Sequence, residues 1–147
     1  MNELPWAYFD TSALVKRYVR ERGTLEARKL LRNYKVLSSS IAPIELLSAL
    51  TRRHGQKELS GHDYTAILSR VKQDRAFWEL VEITPAVLTR AEEIALNIKV
   101  RTLDAIHVAS AVIFQDSTGS SLPFITSDER QLEAAQKCGL EVIEVVG

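Results

Sequence analysis

Four acidic residues stand in contexts where local sequence makes a carboxylate conspicuous: Asp10, Glu45, Asp104 and Asp128. Carboxylates that share one cleft repel each other, so such a group must either hold protons or recruit a divalent cation. The chain has a single cysteine and no histidine pair at ligand spacing, so oxygen ligands and Mg²⁺ or Mn²⁺ are favoured over zinc. Without these four acids, 15 acidic residues face 19 basic ones, which suits an anionic substrate.

Asp10 and Asp128 each follow a short apolar run at the predicted end of a strand. Asp10 comes directly after Trp6–Phe9, and its alternative role is to cap the next helix. Thr126 and Glu129 fit a capping box around Asp128, so this acid could instead serve the first turn of its helix.

Glu45 lies in a helix pattern whose ten residues from 41 to 50 contain only one other polar side chain, Ser48. At 100° per residue, Glu45, Ser48 and Arg52 share one narrow stripe with apolar residues on both sides. Burying such a carboxylate is costly unless it is paired or binds a metal. A pair with Arg52, or a rim position open to water, is the structural alternative.

Asp104 interrupts another nearly apolar helix, together with His107 and Ser110. These three residues lie at i, i+3 and i+6 and therefore drift slowly along one face. Asp104 could simply favour the positive helix end, but we interpret it as functional. We interpret His107 as a core histidine whose hydrogen bonds are satisfied, since no second histidine stands at ligand spacing.

The pattern alternates short apolar runs with longer helical segments, which predicts a parallel sheet covered on both faces. Strands are predicted at 6–9, 35–37, 80–83, 124–126 and 141–146, and helices at 12–20, 25–33, 41–53, 60–78, 85–98, 103–114 and 128–138. Thr84 and Thr102 are predicted caps, and the residues from 116 to 121 are predicted to form a loop. We expect one domain, residues 1–147, with a three-layer α/β/α fold.

The four acids are expected to meet because sites in open parallel sheets form beyond the carboxyl ends of the strands. Asp10, Asp104 and Asp128 are expected at strand-to-helix junctions, and Glu45 on a helix that follows another strand.

Composition narrows the functional classes. Hydrophobic residues make up 46% and charged residues 26% of the chain, a globular mixture with no apolar run long enough to span a bilayer. The first ten residues carry no signal-peptide pattern, and one cysteine excludes an internal disulfide framework, so we expect a cytoplasmic protein and no membrane partner. A formal net charge of zero provides no global basic field.

Several segments, in order, resemble those of PIN-domain ribonucleases, particularly the VapC toxins of prokaryotic toxin–antitoxin pairs. The opening Tyr-Phe-Asp-Thr-Ser-Ala-Leu-Val-Lys (8–16) resembles the family's first motif, and Arg-Thr-Leu-Asp-Ala-Ile-His-Val-Ala-Ser-Ala (101–111) its third-acid motif. Glu45 within Ile-Glu-Leu-Leu-Ser-Ala-Leu resembles the second acid. Phe-Ile-Thr-Ser-Asp-Glu-Arg-Gln-Leu (124–132) resembles the fourth-acid segment.

The resemblance implies a PIN fold and an endoribonuclease that hydrolyses RNA with Mg²⁺ or Mn²⁺, leaving a 5′-phosphate and a 3′-hydroxyl. Asp10 and Asp104 would be the closest metal ligands. Glu45 and Asp128 would complete the shell, bind a second ion or position the water. It further implies a VapB-like antitoxin, a homodimer and a prokaryotic cytoplasm. Basic residues on the helices after two of the acids could bind flanking phosphates, or form a solvated face; they are Lys16, Arg17, Arg20, Arg52 and Arg53.

Other classes fit the sequence less well. A phosphotransfer receiver domain requires paired acids after the first strand and a lysine after the last strand. A haloacid-dehalogenase-like phosphatase requires Asp-x-Asp, and position 12 is serine. The glycine loop of dinucleotide-binding enzymes does not occur. The remaining alternative is a non-catalytic module of the same fold that binds RNA or protein.

Overall fold

The computed structural model describes residues 3–147 and contains all twelve predicted elements around one parallel five-stranded sheet. The strands are β1 (Trp6–Phe9), β2 (Lys35–Ser39), β3 (Glu79–Val81), β4 (Pro123–Thr126) and β5 (Glu141–Glu144). The helices are α1 (Thr11–Tyr18), α2 (Thr24–Asn33), α3 (Ala42–Gly55), α4 (Gly61–Arg75), α5 (Pro85–Asn97), α6 (Thr102–Thr118) and α7 (Glu129–Lys137). The strand order is β3-β2-β1-β4-β5. The predicted three-layer α/β/α fold is confirmed.

β1 lies at the centre of the sheet and pairs with both β2 and β4. Its register places Tyr8 opposite Phe124 and Phe9 opposite Ile125. The backbone N–H of Asp10 then donates to the carbonyl of Ile125 at 3.2 Å, which extends the pairing by one residue. Asp10 is therefore fixed at the carboxyl edge of the sheet beside the end of β4.

Alternating residues of β1 serve the two faces of the sheet, as expected for a period of two. Ala7 and Phe9 pack with Leu14 of α1 and Ala27 of α2. Tyr8 packs on the opposite face, in the larger core formed with α5, α6 and α7. Both faces of the sheet are thus covered by helices, which explains why the strands are nearly continuous apolar runs.

The helix that carries Asp104 is buried in its middle. Eight residues of α6 between 104 and 112 are buried, and α5 packs against this helix. Thr84 caps α5 as predicted, because its hydroxyl accepts from the N–H of Val87 at 3.3 Å. The packing of α6 thus fixes the one acid that it contributes to the carboxyl edge.

Three local predictions were wrong. Asp104 does not stand at a strand-to-helix junction, because α6 follows α5 rather than a strand. The N-cap of α6 is Arg101, and Thr102 is already helical. The predicted loop from 116 to 121 begins too early, because α6 runs to Thr118 and ends where Gly119 adopts a φ of +69°.

The remaining helices extend the fold on the side of α1. α3 packs against α1 and α4, and the three share a core that includes Tyr18, Leu46, Leu50 and Val71. This packing brings the first turn of α3, and with it Glu45, towards α1. Among residues 3–147, no helix combines the length and apolar character needed to cross a bilayer.

Candidate metal centre at the carboxyl edge of the sheet

Asp10 is completely buried at the point where β1 becomes α1. Its Oδ1 accepts from the N–H of Ala13 at 3.0 Å, so it is a true N-cap, as the structural alternative required. The hydroxyl of Ser12 donates to the same carboxylate at 2.7 Å, and that of Thr126 donates to Oδ2 at 2.7 Å. Burial nevertheless raises the pKa of Asp10, although His107 and the hydroxyls partly offset it. Keeping Asp10 ionised at this buried position therefore has a free-energy cost.

Glu45 is partly buried and contacts His107 rather than Arg52. His107 Nε2 lies 2.6 Å from Glu45 Oε1, and the Thr11 hydroxyl donates to the same oxygen at 2.7 Å. Burial alone would raise the pKa of Glu45, but the hydrogen bonds from His107 and Thr11 hold it below its ordinary value. Glu45 is therefore kept ionised, with one edge of its carboxylate fixed.

His107 is wholly buried and joins Glu45 to the core. Its Nδ1 lies 2.7 Å from the hydroxyl of Tyr8. Burial, and secondarily the charge of Asp10, raise the pKa of Tyr8 well above its ordinary value, so this phenol stays protonated. We assign it as the donor to Nδ1 of a neutral imidazole. Nε2 then carries the imidazole proton, which goes to Glu45. The interpretation of His107 as a satisfied core histidine was correct but incomplete, because its second nitrogen positions a candidate site residue.

Asp104 is buried beside α7. The side-chain amide of Gln131 donates to Asp104 Oδ1 at 2.9 Å, and the backbone N–H of Arg101 lies 3.4 Å from Oδ2. Asp104 thus does act at the first turn of its helix, as the structural alternative proposed. Its principal partner comes from a different element.

Asp128 is the N-cap of α7 rather than a first-turn residue. Its Oδ1 accepts from the N–H of Arg130 at 2.9 Å and from that of Gln131 at 3.4 Å. Its own N–H donates to the hydroxyl of Thr126 at 2.9 Å. The side chain is half-buried and its second oxygen faces no hydrogen-bond donor among the described residues.

Intervening groups link three of the acids, Asp10, Asp128 and Asp104, into one hydrogen-bond network, and Glu45 lies beside it through Thr11. Thr126 contacts both Asp10 and Asp128, and Gln131 contacts both Asp128 and Asp104. Thr11, next to Asp10 in the chain, contacts Glu45. Across residues 3–147, however, no three acidic, histidine or cysteine side chains are grouped closely enough to hold a metal ion as they stand. The acids lie at one edge of the sheet, but their side chains are not arranged as a complete set of metal ligands.

The chemistry of these donors fits a hard divalent cation. All four side chains offer oxygen, and in the described part of the chain neither Asp10, Asp104 nor Asp128 forms an ion pair with a basic side chain. Gln131 is 94% buried, and its Oε1 is a buried acceptor without a hydrogen-bond partner there. A negatively charged, partly unsatisfied pocket of oxygens is the environment that an added cation stabilises.

Sequence reasoning missed three of the polar residues that contact the acids: Thr11, Ser12 and Gln131. Ser12 was visible as a hydroxyl near a strand end, but Gln131 gave no signal. It lies on a helix of ordinary polarity, and only the packing of α7 against α6 brings it to Asp104.

Most of the basic residues considered as phosphate ligands are already paired. Lys16 contacts Glu21 at 3.1 Å, Arg17 contacts Asp74 at 2.8 Å, and Arg53 contacts Glu21 at 2.7 Å. Lys16 is also buried and donates to the carbonyl of Arg22 at 2.7 Å. Arg20 and Arg52 are exposed.

The chain matches a known protein family. Residues 7–137 match the family model described as the PIN domain. No curated protein matches the chain. The fold is similar to that of a chain in a toxin–antitoxin complex from Klebsiella pneumoniae, with a TM-score of 0.62, 20% identity, and 86% of this chain and 89% of that chain covered.

Two further solved structures have similar chains. One belongs to VapBC2 from Rickettsia felis bound to a DNA fragment from their promoter, with a TM-score of 0.65, 12% identity, and coverage of 94% and 97%. The other is from VapBC-5 of Mycobacterium tuberculosis, with a TM-score of 0.60, 17% identity, and coverage of 95% and 98%. At these identities the likeness concerns the fold.

Proposed function

The chain belongs to the PIN-domain family, and from that premise we propose that it is a metal-dependent endoribonuclease that hydrolyses RNA phosphodiester bonds. The observation that carries the proposal is the hydrogen-bond network that joins Asp10, Asp128 and Asp104 at the carboxyl edge of the sheet, around a buried Asp10 that no described basic side chain neutralises. A structural N-cap gains nothing from complete burial of its charge. A cation site does.

Asp10 and Asp104 would hold the ion, Mg²⁺ or Mn²⁺, with Glu45 and Asp128 completing its surroundings. When bound, such an ion supplies a hydroxide-like water and offsets the charge that develops on the phosphoryl oxygens. Asp10 would offer an oxygen now bonded by a hydroxyl, either that of Ser12 or that of Thr126. Asp104 has the more open carboxylate, since its Oδ2 accepts only a long bond from backbone.

The surrounding residues prepare these carboxylates. His107 fixes Glu45 in its ionised form and one orientation, because Tyr8 sets the tautomer of the imidazole. Glu45 can then accept a proton from water through its other oxygen, for which no donor is found among residues 3–147. Gln131 fixes Asp104 in the same manner from α7.

We further propose that the protein is the toxin of a VapBC-type pair in a prokaryotic cytoplasm. The similarity to chains from three toxin–antitoxin structures supports this assignment. The proposal includes an antitoxin of the VapB kind and a homodimer. Large exposed apolar side chains, among them Phe77 and Leu96, offer surface for such contacts.

The test is a cleavage assay with purified protein on single-stranded and structured RNAs, in Mg²⁺ or Mn²⁺ and with EDTA. We expect cleavage that EDTA abolishes and added metal restores, with a 5′-phosphate and a 3′-hydroxyl on the products. RNA binding without cleavage under every metal condition would instead support a non-catalytic binding module.

A further inference from the structure

A basic groove adjoins the acidic network on the side of α6 and α7. It is a cavity of about 670 Å³ between the loop before α6 and the exposed face of α7. Two apolar loop residues, Ile98 and Val100, form part of its wall. Its charged lining consists of Lys99, Arg101, Arg130, Glu133 and Lys137.

The groove carries an excess of positive charge. Lys137 and Glu133 neutralise each other in an ion pair of 2.9 Å. The other three cations, Lys99, Arg101 and Arg130, are exposed and form no ion pair with any described acidic side chain. A protein with zero formal net charge therefore concentrates unpaired cations beside its acidic site.

Stability does not explain this placement. Arg101 is the N-cap of α6, and Arg130 is in the first turn of α7. The partial charge at a helix N-terminus is positive, so basic side chains are disfavoured there. The acids that suit these helix N-termini are already present, Asp104 in α6 and Asp128 in α7, so neither arginine is needed to stabilise its helix.

The groove adjoins the acidic network through the backbone. The N–H of Arg130 donates to Asp128 Oδ1 at 2.9 Å, and the N–H of Arg101 lies 3.4 Å from Asp104 Oδ2. Each unpaired arginine therefore belongs to a residue whose main chain contacts a candidate metal ligand. An anion bound in this groove would be held by residues that also contact two of the four acids through their backbone.

We propose that the groove binds the phosphates of the RNA strand that flank the scissile bond. This inference rests on the proposed ribonuclease function and assigns the side of the site on which the strand runs. Guanidinium groups bind phosphate oxygens in a forked geometry, and Lys99 adds a mobile point charge. A flexible strand of phosphates, one charge per nucleotide, matches a row of cations better than a single small anion does.

The test is RNA binding to the metal-free protein, where no cleavage occurs. The affinity of a short fluorescein-labelled single-stranded RNA of mixed sequence is measured by anisotropy in EDTA at several KCl concentrations. The groove variant combines Arg101→Gln and Arg130→Gln. The control combines Arg32→Gln and Arg75→Gln, which removes two exposed cations that lie at helix C-termini and also lack ion pairs.

Each phosphate contact contributes about 0.7 to the slope of log K against log salt for a single strand. We expect the groove variant to lose about 1.4 from this slope and about tenfold in affinity, whereas the control keeps both within error. Lys99→Gln, a milder change, should lose about half as much of the slope. Thermal unfolding of all variants checks that each is folded.

Equal slopes for the groove variant and the control would overturn the proposal, as would wild-type protein that binds no RNA. An acidic peptide that binds at the groove more tightly than RNA would assign the groove to a protein partner instead. The two proposals fail separately. Salt-dependent groove binding without metal-dependent cleavage would reject the nuclease, and full cleavage by the groove variant would reject only the groove.

Discussion

His107 Nε2 lies 2.6 Å from Glu45 Oε1, and this contact joins two residues that stand 62 positions apart in the chain. It converts a histidine that is entirely enclosed by the core into a support for a carboxylate at the edge of the sheet. The orientation of the imidazole is fixed on its other side by Tyr8, which is also stacked on Phe124 at 5.1 Å between ring centroids. The orientation of Glu45 therefore depends on the packing of the central strand.

Removal of the Tyr8 hydroxyl tests this dependence. Tyr8→Phe keeps the stacked ring but leaves His107 Nδ1 buried without a donor, which should lower the free energy of unfolding by about 1–3 kcal/mol. Cleavage should fall as well, since Glu45 loses its fixed partner. Chemical denaturation and initial cleavage rates give the two values.

Tyr64→Phe is the matched control, because its hydroxyl is bonded to Thr51 at 2.7 Å on the surface. We expect this variant to stay within about 0.5 kcal/mol of wild type. An equal loss of stability in Tyr64→Phe and Tyr8→Phe would show that the buried hydroxyl contributes no more to stability than the exposed one.

Asp10 should be a site where stability and function oppose each other. Asp10→Asn removes a buried charge and keeps an oxygen for the N–H of Ala13, so in EDTA we expect the free energy of unfolding to rise by about 1 kcal/mol. Burial raises the folded-state pKa of Asp10, so this carboxyl takes up a proton as the pH falls and the cost of burying its charge disappears. The stability that Asp10→Asn gains over the wild type should therefore shrink at acidic pH. Added Mg²⁺ should raise the Tm of the wild type but not that of the variant.

Thermal unfolding in EDTA and in Mg²⁺ provides both readouts for Asp10. A variant less stable than wild type in EDTA would mean that the hydroxyls of Ser12 and Thr126 compensate the charge fully. Equal stabilisation of both proteins by Mg²⁺ would place the ion elsewhere.

Gln131 should influence metal affinity through Asp104. Gln131→Met keeps the length of the side chain but removes the donor to Asp104 Oδ1, and loss of a group that orients a ligand typically weakens metal binding by about tenfold or more. Mn²⁺ binding followed by electron paramagnetic resonance measures this directly. Gln136→Met, an exposed change on the same helix, should leave the affinity unchanged.

The sequence was sufficient for the fold and for the acids, but not for what joins the acids. The strands were recognisable because those with both faces covered are continuous apolar runs, as in Ala7–Phe9 and Phe124–Thr126. Glu45 was conspicuous because the first half of its helix is otherwise nearly apolar. Arg52 was considered as a partner of Glu45 only in the structural alternative, because helical periodicity relates residues on the same helix. The structure instead places His107 of α6 against Glu45.

Long-range partners could not be derived because they depend on how two helices pack, not on the pattern of either. Gln131 reaches Asp104 only because α7 lies against α6, and Arg17 is paired only because α4 brings Asp74 to it. The error at α6 has a different cause. Thr102 is a better cap by preference than Arg101, but the first turn is fixed by the bond between the N–H of Arg101 and Asp104.

The ion pair between Arg17 and Asp74 should give a stability contribution that depends on pH. Burial would raise the pKa of Asp74, but the hydrogen bonds from Arg17 and Tyr18 outweigh it and hold this pKa below its ordinary value. A lowered folded-state pKa adds stability above the unfolded-state pKa, and this stability is lost as the pH falls through the folded-state value. Asp74→Asn should therefore cost about 1 kcal/mol at neutral pH and almost nothing in strong acid.

Denaturation of wild type and Asp74→Asn at neutral and acidic pH checks this prediction. The two proteins should differ at neutral pH and converge below the ordinary range of an aspartate. A difference that stays constant with pH would show that the substitution acts through packing instead of charge.

RNA cleavage by Asp104→Asn shows whether the acids at the carboxyl edge form a metal-dependent nuclease centre. The matched control is Asp63→Asn, because Asp63 also occupies the third position of a helix, α4, but is exposed. We predict EDTA-sensitive cleavage by wild type and Asp63→Asn and at least a hundredfold loss for a folded Asp104→Asn, about 2.7 kcal/mol of transition-state stabilisation. Cleavage by Asp104→Asn at the wild-type rate would show that the nuclease centre does not depend on Asp104 and would reject this assignment of the site.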